Sequence, residues 1–473
     1  MELDQEKPQY SEIDASPVKP FFVSMLTRDI MLEDAILDLL DNCVDGILRS
    51  QNNPSQEKPY EGFNVEIEFN KDQFFIKDNC GGIPWSLHEH AFTMGRSADR
   101  PPDAAGTVGT YGIGMKRAIF KMGTDCLITT QSGDNCYELH ISPNWIVNEK
   151  TWMLPVKEST WSEDEDGTTI LIGNLHENIS DRFSKESELF TKGLTRMIST
   201  HYAFIINKGF EIQINKKVVE PKPTQLLFDN RKNVKSPIRP YIYKTKTDSG
   251  VEIFLTVGFT SPIPTQDEIS SEHTEKKKFS SMNAGWTVLC NDRAVLYCDR
   301  SEMTGWGEAG IPKYHTQFIA ISGIVEFKSD DPSLLPTTTT KRGIEASSSL
   351  YLQVKNQMRE GMKIFTSYTN QWKGNEEESK SHMDKMPLLN LEQIKNETEN
   401  LDFKTLRRTL KGSQYKPHLP KPKALPPKQK KISFTRKNHE IEIIAKHLFD
   451  DKDASPAQVG EKCFEIILKE ANQ

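Results

Sequence analysis

The stretch "DLLDNCVDG", residues 38–46, lies in a segment that is predicted to form a buried helix. Apolar residues recur there at the spacing of one helix face, at Ile36, Leu40, Val44 and Ile47. The remaining surface of the helix carries several acids and one amide, at Asp34, Asp38, Asp41, Asn42 and Asp45. A solvated helix face would explain this set of polar residues. The motifs that follow along the chain suggest a second explanation.

The composition is that of a soluble globular protein with polar segments added. The chain has 473 residues, of which 36% are hydrophobic and 27% are charged. No apolar run approaches the ~18 residues of a membrane helix, and the polar N-terminus has no visible secretory signal. The seven cysteines are scattered without a C-x-x-C pair. We therefore expect a reducing, cytoplasmic setting, no metal cluster and no contact with a membrane.

The pattern of helices and strands predicts an α+β protein with two domains and a tail. The first domain is an α/β sandwich, and the second is smaller. The tail is basic and partly extended, and it ends in a helix at 456–470 that begins with Ser455-Pro456 and has Gln458 placed for a capping box. The predicted segments are a flexible N-terminus at 1–14, domains at 15–230 and 231–373, a polar and then basic proline-rich linker at 374–440, and a helical segment at 441–473.

The linker has an unusual local charge. Residues 401–440 contain twelve lysines and arginines and two acids, whereas the whole chain has a net charge of −7. Such a segment could follow the phosphate backbone of DNA by charge alone. A solvated linker and a contact for an acidic protein partner are the alternatives.

Two further motifs have the chemistry of a nucleotide site. In "IKDNCGGIP", residues 76–84, a strand delivers Asp78 to a turn with Gly81 and Gly82. The carboxylate can accept a hydrogen bond from an exocyclic amine such as that of adenine, and the glycines allow close approach of a flat ligand. An ordinary Asp-Asn-Gly turn is the alternative.

In "GTVGTYGIGMKRAIF", residues 106–120, three glycines lead into the N-terminus of a helix, where free N–H groups attract phosphate. Lys116 adds a positive charge one turn into that helix. The spacing is not that of a P-loop, and a flexible hinge loop is the alternative. Further on, in "DGTTILI", residues 166–172, Thr168 can offer a hydroxyl to a base edge.

The order of these motifs resembles that of the GHKL ATPases. This family includes gyrase B, MutL, the ninety-kilodalton heat-shock chaperone, histidine kinases and the microrchidia (MORC) proteins. The matching boxes span residues 38–170, from the acidic helix through the Asp78 turn and the glycine loop to Gly167-Thr168. The resemblance implies a Bergerat-type α/β sandwich that binds ATP and Mg²⁺. It also explains the opening stretch, because the acidic helix face of this family looks into the nucleotide pocket.

The resemblance also implies a role for each site residue. Asn42 would carry the Mg²⁺ ion, and Asp38, one helical turn earlier, would be the general base that activates water. Asp78 would hold the adenine amine with support from Thr168, and residues 93–115 would form a lid. The implied nucleotide-binding set is completed by Gly82, Gly109, Gly112, Ile113, Gly114, Met115 and Lys116.

The chain departs from the family pattern at two positions. The family usually has Glu where this chain has Asp38, and the shorter side chain draws the carboxylate back by ~1.5 Å. Because a misplacement of about 1 Å can cost on the order of 10²-fold in rate, we expect slow hydrolysis or hydrolysis through an extra water. Cys80 stands where the first glycine of the adenine box usually is.

The second domain contains "LPTTTTKRG", residues 335–343, with Lys341 after a run of threonines. This stretch resembles the loop by which the transducer domain of the gyrase, MutL and MORC branches sends a lysine to the γ-phosphate. "GWTVLCNDRAVLY", residues 285–297, is similar to a strand–turn–strand of that domain. The pattern is most like that of MORC ATPases. An exposed basic turn is the alternative for Lys341.

These inferences predict a slow ATPase that works as an ATP-gated dimeric clamp, with DNA as one candidate client. The general base would be Asp38, and Lys341 would act as the electrophile at the γ-phosphate. A nucleotide-gated scaffold or chaperone-like protein with weak or no hydrolysis is the alternative. A histidine kinase fits less well, because such kinases place a phospho-accepting helix pair before the ATPase domain, and fewer than forty residues precede Asp38.

Overall fold

The structure is a computed structural model of the chain. It describes residues 17–51, 57–95, 107–108, 112–148, 151–161, 163–231, 234–265, 268–269, 283–338, 341–383, 385–406, 411–422, 432 and 434–472. The chain divides into two compact units, residues 1–422 and residues 423–473. The predicted flexible N-terminus at 1–14 lies outside the described residues, as do Gly109 and most of the predicted lid.

The first part of the larger unit is built on a mixed sheet. Its strands are β1 (Asn64–Phe69), β2 (Phe74–Asp78), β3 (Gly123–Ser132), β4 (Asn135–Ile141), β5 (Val156–Glu158), β6 (Gly167–Leu175), β7 (Glu211–Ile214) and β8 (Lys217–Val218). In the described part of the chain they form one sheet of eight strands in the order β5–β4–β3–β6–β2–β1–β7–β8. Strands β1 and β7 are parallel, and the other neighbours are antiparallel.

Helices cover the buried face of this sheet. They are α1 (Lys19–Arg28), α2 (Leu32–Ser50), α3 (His88–Phe92), α4 (Gly114–Met122), α5 (Pro143–Val147), α6 (Glu177–Ser184), α7 (Ser187–His201) and α8 (Ala203–Asn207). Alternate residues of β1, such as Val65 and Ile67, are fully buried, which is the period-two pattern of a sheet with one covered face. The apolar stripe predicted for α2 is also buried, with Ile36, Leu40 and Val44 at 0% exposure. Together they form one hydrophobic core with α4.

A second sheet follows in the same unit. Its strands are β10 (Tyr241–Lys246), β11 (Glu252–Phe259), β12 (Gly285–Cys290), β13 (Arg293–Asp299), β14 (Ile321–Lys328), β16 (Lys404–Leu406) and β17 (Gly412–Tyr415). Among the described residues the strand order is β13–β12–β14–β11–β10–β17–β16. The long helix α9 (Ser349–Gln371) packs on this sheet with its own core, which includes Met358, Met362 and Phe365. A short ladder joins β9 (Leu226–Leu227) to β15 (Leu388–Leu389).

The segment that we predicted as a linker, 374–440, differs from that prediction. It contains α10 (Glu376–Met383), α11 (Leu391–Glu397) and the strands β16 and β17. Strand β17 pairs antiparallel with β10, and the side chains of Phe403 and Tyr415 pack on a third apolar cluster. The lysines and prolines suggested an extended linker, but Lys404 lies in the edge strand β16, which tolerates a lysine, and the described prolines of residues 401–440 follow β17 and do not interrupt it.

The smaller unit contains two helices, α12 (Asn438–Phe449) and α13 (Pro456–Ala471). The predicted start of the terminal helix is confirmed, because Ser455 and Gln458 form a capping box at its N-terminus. None of the helices in the described part of the chain combines the length and the apolar character that crossing a membrane requires.

Candidate functional site

A cavity that is partly open to solvent lies between α2, the end of β2, the start of α4 and β6. The predicted site residues that the structure describes all line it, namely Asp38, Asn42, Asp78, Gly82, Gly112, Ile113, Gly114, Met115, Lys116, Thr168 and Lys341. Asp38 and Lys341, which are 341 − 38 = 303 positions apart in sequence, therefore line the same cavity. Their chemical roles remain predictions.

Helix α2 supplies the acidic side of the cavity. Asp38 and Asn42 are four residues apart, so both face the cavity while the apolar stripe faces the core. Asp38 is buried at 4% exposure, whereas Asn42 is exposed to the cavity. One helix face therefore presents two oxygen ligands, a carboxylate that is buried and an amide that is exposed.

The end of β2 forms one end of the cavity. The backbone N–H of Cys80 donates to Oδ1 of Asp78 at 2.8 Å, and the thiol of Cys43 lies 3.5 Å from Oδ2. Burial raises the pKa of Asp78 to about 6, because these hydrogen bonds only partly compensate for lost water. Asp78 pairs with Thr168 across β2 and β6, and the hydroxyl of Thr168 is 3.0 Å from that of Thr130.

Glycines allow the backbone to approach at both ends of the cavity. Gly82 has φ +62°, and a Cβ atom there would lie 1.9 Å from the carbonyl oxygen of Gln131. Gly114 begins α4 directly beside Asp38, since a Cβ atom at Gly114 would lie 3.3 Å from Cβ and Cγ of Asp38. The first backbone N–H groups of α4 therefore start next to Asp38, where a helix favours anionic groups.

The two lysines predicted to contact phosphate, Lys116 and Lys341, have different partners near the start of α4. Lys116 is buried and donates from Nζ to the carbonyl oxygen of Ala91 at 2.7 Å. Nζ of Lys341 is 2.8 Å from Oδ2 of Asp41, at the cavity wall. Burial alone would lower the pKa of Lys341, but Asp41 and Asp38 outweigh it and raise that pKa. The lysine is therefore charged.

Lys341 sits on a tight loop of the second part of the unit. Thr337 and Ile344 form an antiparallel bridge, and the N–H of Thr338 donates to the carbonyl of Gly343 at 3.1 Å. Lys341 itself has φ +54°, in the left-handed region that non-glycine residues seldom adopt. The loop thus holds the lysine in a specific and mildly strained conformation.

Asp41 of α2 contacts residues from both parts of the larger unit. Its Oδ1 accepts hydrogen bonds from Nε of Arg293 at 3.0 Å and from the hydroxyl of Tyr202 at 2.5 Å. Burial alone would raise the pKa of Asp41, but Lys341 and Arg293 hold it at about 2. Sequence reasoning missed Arg293 and Tyr202, and its only signal for Asp41 was the extra acid on α2.

Arg117 is a second residue that the sequence analysis missed. Its Nη2 and Nε lie 2.5 and 3.2 Å from Oδ2 of Asp38, and both side chains are buried. Burial raises the pKa of Asp38 despite the nearby charges of Lys341 and Arg117. Among the described residues no hydrogen bond reaches Oδ1 of Asp38, so that oxygen remains available for a water molecule. The adjacent "KR" at the helix start was the available signal for Arg117.

The donors fit a magnesium–nucleotide complex. Mg²⁺ prefers oxygen ligands and shares them with phosphates, and the exposed amide of Asn42 supplies one. The start of α4 and Lys341 supply N–H donors and a positive charge for phosphate, and Asp78 with Thr168 supplies acceptors for a base.

Most of the residues that line this cavity lie in a segment that matches a family of ATPases. Residues 30–169 match the family model described as histidine kinase-, DNA gyrase B-, and HSP90-like ATPase. This match supports the GHKL superfamily, as the sequence motifs predicted. A search of the curated proteins found no match to the chain.

Proposed function

We propose that the protein binds and slowly hydrolyses ATP with Mg²⁺ and uses this cycle to open and close a dimeric clamp. The main support is the ion pair between Lys341 and Asp41, because it connects the second sheet to the nucleotide cavity. A γ-phosphate in the cavity would compete with Asp41 for the ammonium of Lys341. Nucleotide binding would thereby change the contact between the two sheets.

In this mechanism each side chain has one task. Asp38 takes a proton from water at Oδ1, while Arg117 holds Oδ2 and fixes the rotamer. Asn42 would hold Mg²⁺, which supplies charge neutralisation for the phosphates when it is bound. Lys341 stabilises the charge that develops on the γ-phosphate, and Asp78 orients the adenine ring through its amine.

Solution mass is the first test of this proposal. The mass is measured without nucleotide, with a non-hydrolysable ATP analogue and Mg²⁺, and with ADP. We expect a monomer that becomes a dimer only with the analogue. Lys341→Ala removes this response, whereas the control Lys246→Ala, an exposed lysine on the second sheet, retains it. A mass that is indifferent to nucleotide would contradict the clamp.

A nucleotide-gated scaffold with little hydrolysis is the second candidate. It is favoured by the short Asp38 side chain and by the guanidinium that already binds one of its oxygens. Single-turnover hydrolysis, measured with ATP and Mg²⁺ and the protein in excess over ATP, separates the two candidates. A rate no higher than that of Asp38→Asn would favour the scaffold.

We further propose that the protein is MORC-like, with the second sheet as a transducer, and that DNA is the client of the clamp. The support for DNA is the charge of residues 401–440, of which Lys404, Lys411, Lys416 and Lys421 are exposed. Capture of closed-circular DNA over a salt series tests this, and binding that does not weaken with salt would point to a protein client.

A further inference from the structure

Two cysteines surround the predicted adenine-binding aspartate. We propose that Cys43, Cys80 and Asp78 form a binding site for a thiophilic divalent cation such as Zn²⁺, and that this cation and adenine nucleotide exclude each other. The exclusion rests on the proposed function, because it assigns Asp78 to adenine. The metal site itself depends only on the three side chains.

The three ligand atoms are close enough for one ion. One ligand atom from each residue lies within 4.8 Å of the others. The thiol of Cys43 is 3.5 Å from Oδ2 of Asp78. With Zn–S near ~2.3 Å and Zn–O near ~2.0 Å, a tetrahedral site has an S···O edge of roughly 3.5 Å. This edge is therefore already at the length that a zinc site requires.

The surroundings hold these ligands in place. Cys43 and Cys80 are buried at 4% and 2% exposure, and all three ligands line the cavity. Helix α2 packs tightly on the turn, since a Cβ atom at Gly46 would lie 2.4 Å from the carbonyl oxygen of Cys80. Because all three ligands line the cavity, a water molecule from the cavity can supply the fourth ligand.

The chemistry of the site favours a cation over a disulfide. Cys43 and Cys80 are both free thiols in the structure. Zn²⁺ replaces the two thiol protons, which pass to solvent, and the resulting thiolates are stabilised by the ion. A disulfide instead requires removal of two electrons by an oxidant. Asp78 has no role in that bond, whereas it completes the ligand set of the ion.

The spacing of the two cysteines in the sequence did not indicate this site. Cys43 and Cys80 are separated by a helix turn, two strands and a hairpin, so no C-x-x-C pattern arises, and we expected no metal cluster. The positions meet because the end of β2 packs against α2. The departure from glycine at position 80 provides a ligand that a glycine at the first position of this turn would not.

The first experiment uses the reduced full chain after treatment with a chelator and titrates it with Co²⁺ alone. We expect one Co²⁺ per chain with a thiolate-to-cobalt charge-transfer band, which Zn²⁺ abolishes by displacement. Cys43→Ser and Cys80→Ser each weaken the band, whereas the control Cys126→Ser, a buried cysteine on β3 outside the cavity, retains it. Thermal unfolding confirms that each variant is folded. Absence of the band in the folded wild-type protein would overturn the metal site.

The second experiment measures affinity for the ATP analogue with chelator and with Zn²⁺ at ten times its dissociation constant. Competition for one site lowers the apparent nucleotide affinity about tenfold. The Cys43→Ser/Cys80→Ser double variant is the control for chelation of Zn²⁺ by the analogue itself. We expect Zn²⁺ to lower its nucleotide affinity only by the amount that this chelation causes. Equal loss in both proteins would overturn the exclusion.

The two experiments also separate this proposal from the proposed function. A charge-transfer band without analogue binding in chelator would leave the metal site standing and contradict the ATPase. Analogue binding without the charge-transfer band would contradict the metal site and leave the proposed ATPase standing. Loss of nucleotide binding that is independent of metal and is reversed by a thiol reductant would overturn the cation and assign the two cysteines to a disulfide.

Discussion

The two ends of the cavity shift the pKa of an aspartate in opposite directions. At the end that we predict to hold phosphate, Asp41 is paired with Lys341 of the loop and with Arg293 of β13, and its pKa is about 2. At the other end, Asp78 has backbone and thiol partners, and burial raises its pKa to about 6. Among the described residues, Arg293 of the second sheet and Lys341 of the loop contribute charge to the Asp41 end and form no ion pair with Asp78. That end is therefore the one that can sense contact between the sheets.

The largest expected difference is in stability. Asp41→Asn leaves two buried cations without their counter-charge, and we expect a loss of about 3–5 kcal/mol in the free energy of unfolding. Asp78→Asn is the matched control, because within the described ranges the carboxylate of Asp78 forms no ion pair, and we expect a change below about 1 kcal/mol. Chemical denaturation at neutral pH measures both. Equal losses would show that the two aspartates do not differ as described.

The next effect concerns hydrolysis at the phosphate end. Asp38→Asn removes the base while the amide oxygen can still accept from Arg117, so we expect a decrease in kcat of at least about 10²-fold. Affinity for the ATP analogue should stay within about threefold, because Asn42 and Asp78 are intact. Steady-state phosphate release and analogue titration measure the two quantities. The control is Asp181→Asn, an exposed acid on α6, and a normal kcat in Asp38→Asn would remove Asp38 from the mechanism.

A smaller effect is expected from pH at the other end. The ionised carboxylate of Asp78 is the better acceptor for the adenine amine, and a pKa of about 6 means that it gains a proton as pH falls from 7 to 5. Nucleotide affinity should fall about tenfold over that range, while Asp41 stays ionised. Calorimetry of wild type and Asp78→Asn tests this, because protonation of the nucleotide affects both equally. Nucleotide affinities that change with pH in parallel in wild type and Asp78→Asn would contradict the assignment of Asp78 to adenine.

The smallest effect belongs to the second contact between Lys341's loop and α2. Nη1 of Arg342 lies 2.6 Å from Oδ1 of Asp34, but the arginine side chain is 29% exposed. A partly solvated pair contributes about 0.2–1 kcal/mol. A double-mutant cycle with Arg342→Met and Asp34→Asn measures this coupling. A value as large as the cost of Asp41→Asn would show that the loop is held by the exposed pair instead.

Local sequence patterns predicted much of the cavity and little of its electrostatics. The period of α2 placed Asp38 and Asn42 on one face, and the glycines marked the turns where backbone approaches the cavity. The pairs Asp41–Arg293 and Asp38–Arg117 link positions that are 252 and 79 residues apart. No local period encodes such pairs, because they depend on how the sheets and α4 pack against α2. The same reason explains why strand β17 was missed.

Strand β17 has a consequence for the synthesis of the chain. It pairs with β10, although more than 160 residues separate Ile242 from its partner Tyr415. Until the ribosome has delivered residue 415, that side of β10 lacks the neighbour it has in the finished fold, and exposed strand edges promote association between chains. Any shortened product that ends before residue 412 should therefore aggregate more readily than the full chain, even though both parts of the nucleotide cavity are already present in it.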